Sequence, residues 1–201
     1  SSFIQQLKQL GVAIVDEKAI DIKDAAALIS RYRLDKVPAL IFSKDLSAYE
    51  DLTQNWQVGG TVESDGRYIL RTISPPYFDL NSDKVVGLVD IVYLLDEKCE
   101  DCYDVEVHKQ ILTSPGGFDL SFNSEKKIDI SDDEGKELVE KYNIEKVPTV
   151  ILSNDVSVYP FVESLRQFFT IGGDGSYIFT NFQAMGNMVY NDLTKQDNLE
   201  V

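Results

Sequence analysis

The segment Tyr32 to Tyr49, YRLDKVPALIFSKDLSAY, lies without a gap over Tyr142 to Tyr159, YNIEKVPTVILSNDVSVY, at an offset of 110 residues. Identities fall on both tyrosines, on the Lys-Val-Pro core and on the serines and aspartates that follow it. Upstream, AIDI ending at Ile22 matches KIDI ending at Ile130 with an offset of 108, and downstream DGRYIL from Asp65 matches DGSYIF from Asp174 with an offset of 109. Preserved order with small length changes between matched blocks is what a duplicated unit leaves behind. The chain of 201 residues therefore reads as two copies of one fold, over 1–80 and 84–201, joined through SPPYFDLNSDK, where paired prolines favour an extended backbone.

The order of elements is clearest in the second copy. KVVGLVDIVYLL (Lys84 to Leu95) is almost continuously apolar and rich in β-branched residues, the pattern of a central strand covered on both faces. CEDCYDVEVHKQILTS reads as a helix stopped by Pro115-Gly116-Gly117, and FDLSFNSEKKIDI as a second strand. Ser131 and Asp132 stand where a helix cap is expected, with Leu138, Val139 and Tyr142 at helical spacing behind them. After Lys146-Val147-Pro148 come the strand TVILS, an amphipathic stretch PFVESLRQFF and a hairpin TIGGDGSYIFTN turning at Asp174-Gly175. Strand, helix, strand, helix implies a parallel βαβ core in an α/β fold.

A strand, a Cys-x-x-Cys opening a helix, a βα unit and a Val-Pro-Thr leading into the next strand resemble the thioredoxin superfamily. Two such units in tandem are similar to protein disulfide oxidoreductases and isomerases. The resemblance covers most of Lys84 to Val201 and, without the cysteine segment, most of Phe3 to Leu80. It implies two thioredoxin-like domains, each a central mixed β-sheet flanked by helices. It further implies a cis Pro148 beside the Cys99–Cys102 pair, with Pro38 as its repeat partner, and a substrate-binding segment Val147-Pro148-Thr149 whose main chain pairs with a bound peptide. No cofactor is implied.

A cysteine at a helix N-terminus meets unpaired N–H groups and the positive end of the helix dipole, both of which favour the thiolate. Cys99 is accordingly the expected nucleophile and Cys102 the resolving thiol. The sequence departs from the family where Lys98 replaces the usual tryptophan, where Glu100-Asp101 replace Gly-Pro, and where Tyr93 stands six residues ahead of Cys99 in place of a buried aspartate. Carboxylates at Asp96, Glu100, Asp101 and Asp104 oppose the thiolate while Lys98 favours it, so a reductase or isomerase is expected ahead of a strong oxidant. His108, six residues after Cys102, is out of step with it on a helix and reads as an ordinary surface or partly packed residue. Two thiolates and one displaced histidine do not make a zinc site. A structural disulfide is the rival reading, although its short loop gains little entropy.

The first copy has no counterpart of the cysteines, because Cys99 and Cys102 shifted back by 108 fall before Ser1. Its first strand is therefore expected from residues upstream of Ser1, from a second molecule in a homodimer, or from the unit's own tail RTISPPYFDL; an upstream membrane anchor is compatible with the first of these. No apolar run approaches the ~20 residues that cross a bilayer, and Ser1 to Leu10 carry no signal pattern. With 34 acidic against 19 basic side chains the net charge is −15, which repels phosphate backbones and anionic membranes. Nucleic acid is not an expected partner. Three classes remain: a thiol–disulfide oxidoreductase acting on extracytoplasmic (periplasmic or cell-surface) protein disulfides with a separate redox partner, a noncatalytic thioredoxin-like binding module, and a metal-delivery protein using the two thiolates. A cytoplasmic setting suits a CxxC pair as well.

Overall fold

The computed structural model describes residues 2–198 and is a mixed α/β structure of several small sheets and short helices. It divides into two compact units, one built from the residues up to Ile73 with Tyr77–Lys84, the other from Ser74–Pro76 and the residues from Val85 onward.

In the first unit the elements are α1 (Ser2–Gln9), α2 (Ala26–Tyr32), β1 (Lys36–Val37), β2 (Leu40–Phe42), α3 (Glu50–Thr53), β3 (Gly60–Val62), β4 (Tyr68–Leu70) and β5 (Tyr77–Asp79). β2, β4 and β3 form an antiparallel sheet in that order, with Leu40 opposite Leu70 and Val62 opposite Tyr68. Trp56 is its buried centre, edge-on to Phe42 at 5.6 Å and to Tyr68 at 5.4 Å, with its indole N–H donated to the Thr61 carbonyl at 3.1 Å. Tyr77–Asp79, read from the sequence as linker, instead form a strand antiparallel to β1.

A short strand β6 (Lys84–Val86) spans the boundary, and Gly87, at φ +86°, separates it from β7 (Leu88–Leu95). A side chain at Gly87 would stand 2.3 Å from Pro75, so the predicted single strand is broken there. The second unit continues with α4 (Val107–Thr113), β8 (Ser121–Asp129), α5 (Asp133–Tyr142), β9 (Lys146–Val147), β10 (Thr149–Leu152), α6 (Val162–Leu165), β11 (Phe169–Ile171), β12 (Tyr177–Phe179) and β13 (Asn191–Asp192). Its main sheet has the order β11-β12-β10-β7-β8, with β7 parallel to β8 and antiparallel to β10.

Alternation of side chains across the pleat splits this sheet's residues between two cores. Val89, Ile91 and Tyr93 of β7, Val150 and Leu152 of β10 and Tyr177 and Phe179 of β12 join Leu112 of α4 on one face. Leu94, Ile151 and Ile178 lie on the other with Ile128, Ile144 and Val147, against Leu138, Val139 and Tyr142 of α5. The near-continuous apolar run in β7 reflects this two-sided burial.

The repeat is visible atom for atom. Tyr32 and Tyr142 donate their phenols to Asp65 and Asp174 at 2.9 and 2.8 Å, and Arg31 and Lys141 pair with the same carboxylates. Lys141, then the Ser176 N–H and the Tyr142 phenol, hold the Asp174 carboxyl well below the usual carboxylate range. Both helices end in a left-handed residue, Arg33 and Asn143, at φ 50°. Gly66 and Gly175 turn the hairpins at φ +83° and +85°.

Helix α5 passes so close to β8 that a Cβ on Gly135 would lie 2.0 Å from the Asp129 carbonyl oxygen. Glycine to alanine inside a helix ordinarily stabilises by up to ~1 kcal/mol. Gly135→Ala is expected to do the reverse, lowering stability by about 1–3 kcal/mol as α5 is pushed off the sheet, as measured by denaturant unfolding.

Candidate functional site

The sequence presents its two cysteines directly after the central strand, and the chain folds this segment as a loop. Asp96 Oδ1 accepts from the Lys98 N–H at 3.0 Å and Asp104 Oδ1 from the Glu106 N–H at 2.9 Å, local side-chain bonds that compete with helix. The Tyr103 N–H is donated to the Val189 carbonyl at 3.2 Å, so no helical bond can run through it. The helix α4 begins only at Val107. This corrects the expectation that the cysteines open a helix: Cys99 and Cys102 each sit in isolated turns, Cys99 N–H to Asp96 O and Cys102 N–H to Cys99 O. The helix dipole invoked for Cys99 is therefore not aimed at it.

Cys99 and Cys102 are joined as a disulfide, and both are partly exposed. The Cys102 Sγ lies 4.0 Å from the Val147 carbonyl oxygen, so the fold brings the CxxC loop against a segment 45 residues away. Val147–Pro148 is a cis bond, as is Val37–Pro38 in the first unit. Val147, Pro148 and Thr149 are all buried; the Thr149 hydroxyl is donated to the Phe179 carbonyl at 2.7 Å. Pro38 and Ala39, at the matching positions of the first unit, have no cysteines in the chain to meet.

Asn191 of β13 stands opposite Val147 in an antiparallel pair, and the Leu193 N–H extends it to Glu145 O at 2.8 Å. The main-chain position that the family resemblance reserves for a substrate peptide is thus held by the chain's own residues. The first unit repeats the device with β5, Phe78 opposite Val37 and the Leu80 N–H on Asp35 O at 2.8 Å. Two copies of the same strap mark it as part of the architecture.

Tyr103, His108, Tyr190 and Asn191, which sequence reasoning did not assign to the site, complete it. The Tyr103 phenol lies 3.1 Å from the Pro148 carbonyl and 2.7 Å from His108 Nε2. The carbonyl can only accept and the phenol has one proton, so when that proton goes to Pro148 the Tyr103–His108 contact needs a proton on Nε2. His108 is 3% exposed, deeper than the surface or partly packed position expected for it; its ring packs edge-on against Phe179 at 4.5 Å. Burial lowers its pKa to about 4 and, with Tyr190 nearby, pushes the Tyr103 phenol up. Tyr190 stacks edge-on against Tyr103 at 5.1 Å, and the Asn191 side chain donates to Asp96 Oδ2 at 2.6 Å. The usable signal for His108 was its helical phase with Leu112, an apolar position four residues on. Tyr93, where the family has an acid, is a buried phenol bonded to Glu125 at 3.0 Å and raised in pKa by burial first and that carboxylate second.

Among the described residues, no group of three or more His, Cys, Asp or Glu side chains could hold a metal ion, and no helix is long and apolar enough to cross a membrane.

Between pH 6.5 and 4 an unfolded histidine takes up a proton that buried His108 refuses, so stability contributed above pH 6.5 falls as pH drops through this window. The wild type is expected to lose about 3 kcal/mol more than His108→Gln between pH 7 and pH 4, read from denaturant midpoints across pH. Tyr103→Phe leaves the Pro148 carbonyl and His108 Nε2 without the phenol and is expected to cost about 1–3 kcal/mol at pH 7 in the same assay.

Comparisons with family models, with curated proteins and with solved structures find no match to this chain.

Proposed function

We propose that the chain is a thiol–disulfide oxidoreductase acting on protein disulfides through Cys99 and Cys102, built from two tandem thioredoxin-like units of which only the second carries the redox pair. The observation that carries the reading is the approach of Cys102 Sγ to the carbonyl of Val147, 4.0 Å away, at the bond preceding Pro148. Support for the fold comes from the element order: a CxxC loop after the central strand β7, the parallel neighbour β8, and an antiparallel β10 that starts at the proline turn.

In the reduced form the Cys99 thiolate attacks one sulfur of a substrate disulfide, forming a mixed disulfide and expelling the other substrate sulfur as a thiolate that takes a proton from solvent. The Cys102 thiolate then attacks Cys99 Sγ, closes Cys99–Cys102 and releases the second substrate thiolate. Two electrons pass to the substrate, and a separate dithiol protein must return them. Without a helix dipole at Cys99, and with Glu100 and Asp101 between the cysteines, the thiolate gains little stabilisation. The pair therefore works as a reductant or isomerase toward extracytoplasmic proteins.

The occupied edge of Val147 favours a second reading, a noncatalytic binding module whose CxxC is a staple. The reduction potential separates the two. Equilibration in graded dithiothreitol or glutathione buffers, with thiol trapping and mass counting, is expected to give a value between about −270 and −180 mV. A pair that reduces only below about −300 mV is structural and assigns the chain to the second reading.

A further inference from the structure

We propose that the second unit carries a guanidinium site: the cavity at the C-terminal end of α5 takes the side chain of an arginine from another polypeptide.

The first unit supplies the template, because there the position is filled from within. Arg71, one residue past β4, donates from Nη2 to the Tyr32 carbonyl at 2.7 Å, from Nη1 to the Arg33 carbonyl at 3.2 Å and from Nε to the Thr61 hydroxyl at 3.0 Å. Glu63 completes the set as its ion-pair partner, 2.9 Å from Nη2. The guanidinium thus joins the C-terminal end of α2, where helix carbonyls lack partners and the dipole is negative, to the hairpin of β3 and β4.

The repeat puts the same receptor in the second unit. Tyr32 and Arg33 correspond to Tyr142 and Asn143 at an offset of 110, and Thr61, Glu63 and Arg71 to Thr170, Gly172 and Thr180 at 109. Main-chain bonds fix both matches. The Arg71 and Thr72 N–H groups share the Gly59 carbonyl at 2.8 Å, as those of Thr180 and Asn181 share the Phe168 carbonyl at 3.0 and 3.1 Å. The Leu34 N–H reaches Ile29 O as the Ile144 N–H reaches Val139 O, each at 3.0 Å. Of the receptor and its occupant, the second unit lacks the ion pair: a threonine stands for Arg71 and a glycine for Glu63. A cavity of about 430 Å³ lies there, lined by Tyr142, Asn143, Thr170, Gly172 and Thr180 among others.

The walls keep the chemistry that holds Arg71. Among the described residues no group donates to the carbonyls of Tyr142 and Asn143, and the hydroxyls of Thr170 and Thr180 lie 2.9 Å apart beside them. Glu145 brings a carboxylate to the wall in place of the one Glu63 supplies in the first unit. Lys141 also lines the cavity, but its ammonium is committed to Asp174 at 2.6 Å, as Arg31 is to Asp65 in the unit that holds Arg71. Ile171, 40% exposed on the same wall, offers apolar surface to the methylenes of an arginine stem. A planar fork bridges carbonyls of successive residues as Arg71 does, which a point-like ammonium does not reproduce. A net charge of −15 draws cationic segments toward the chain.

The probe is a capped glycine-arginine-glycine peptide titrated into the full, isotope-labelled chain at about 0.15 M salt, where diffuse attraction to the acidic surface is screened. Saturable one-to-one binding is expected, with a Kd no weaker than ~5 mM and amide shifts concentrated at Asn143, Thr170, Gly172 and Thr180. The lysine version of the peptide should bind at least ~5-fold more weakly. Thr170→Val, which removes one acceptor from an exposed position, should weaken the arginine peptide by a similar factor. Thr180→Arg should abolish binding by filling the cavity from within, as Arg71 does in the first unit. Absence of saturation, equal binding of the lysine peptide, shifts spread away from these residues, or undiminished binding to Thr180→Arg would each overturn the proposal. Methylguanidinium binding as tightly as the peptide would overturn its assignment to a polypeptide and make a free small cation the occupant.

Discussion

Everything in the second unit hangs on one strand that is paired along both edges and covered on both faces. β7 shares main-chain bonds with a parallel neighbour and an antiparallel one, and its side chains alternate between two cores. A strand so enclosed has no solvent to satisfy a slipped register, so its pairing fixes where β8 and β10 end. Those ends decide the site: β7 delivers the cysteine loop, and β10 begins at Thr149, one residue past the proline whose carbonyl Tyr103 meets.

The first unit repeats much of this pattern, although none of its described strands takes the place that β7 holds in the second. The hairpin, the Tyr–Asp bond, the left-handed helix end and one of the two cores all form. They rest on local bonds or on the face packed around Trp56. Leu34, Val37 and Ile41, whose counterparts pack against β7, are half-buried, and among the described residues Ala13–Asp21, matching β8, form no ladder.

Much of this was legible because it is written in short-range chemistry. The Asp-Gly pairs require the left-handed backbone that Gly66 and Gly175 adopt, and the spacing of Leu138, Val139 and Tyr142 describes the buried stripe of α5. What could not be read depends on contacts between distant segments. The helix expected from Cys99 onward loses to Asp96 and Asp104 bonding their own loops and to a Val189 carbonyl 86 residues beyond Tyr103 in the sequence. His108 is drawn inside by Phe179 and Tyr103, and a single-residue type says nothing of partners so far along the chain. The strap strands are two and three residues long, below the length at which alternation can be recognised.

The strap β13 also changes what kind of competition governs the main chain of Val147. A peptide seeking that edge does not meet empty backbone in water; it meets a rival tethered to the same chain, whose effective concentration is of order millimolar for a short tether. Occupancy then becomes an exchange between an internal and an external strand. Under the proposed function, weak, nonspecific peptides would face a threshold set by the opening free energy of Asn191–Asp192, and the bonds from Tyr103 to Val189 and from Asn191 to Asp96 tie that strap to the disulfide loop.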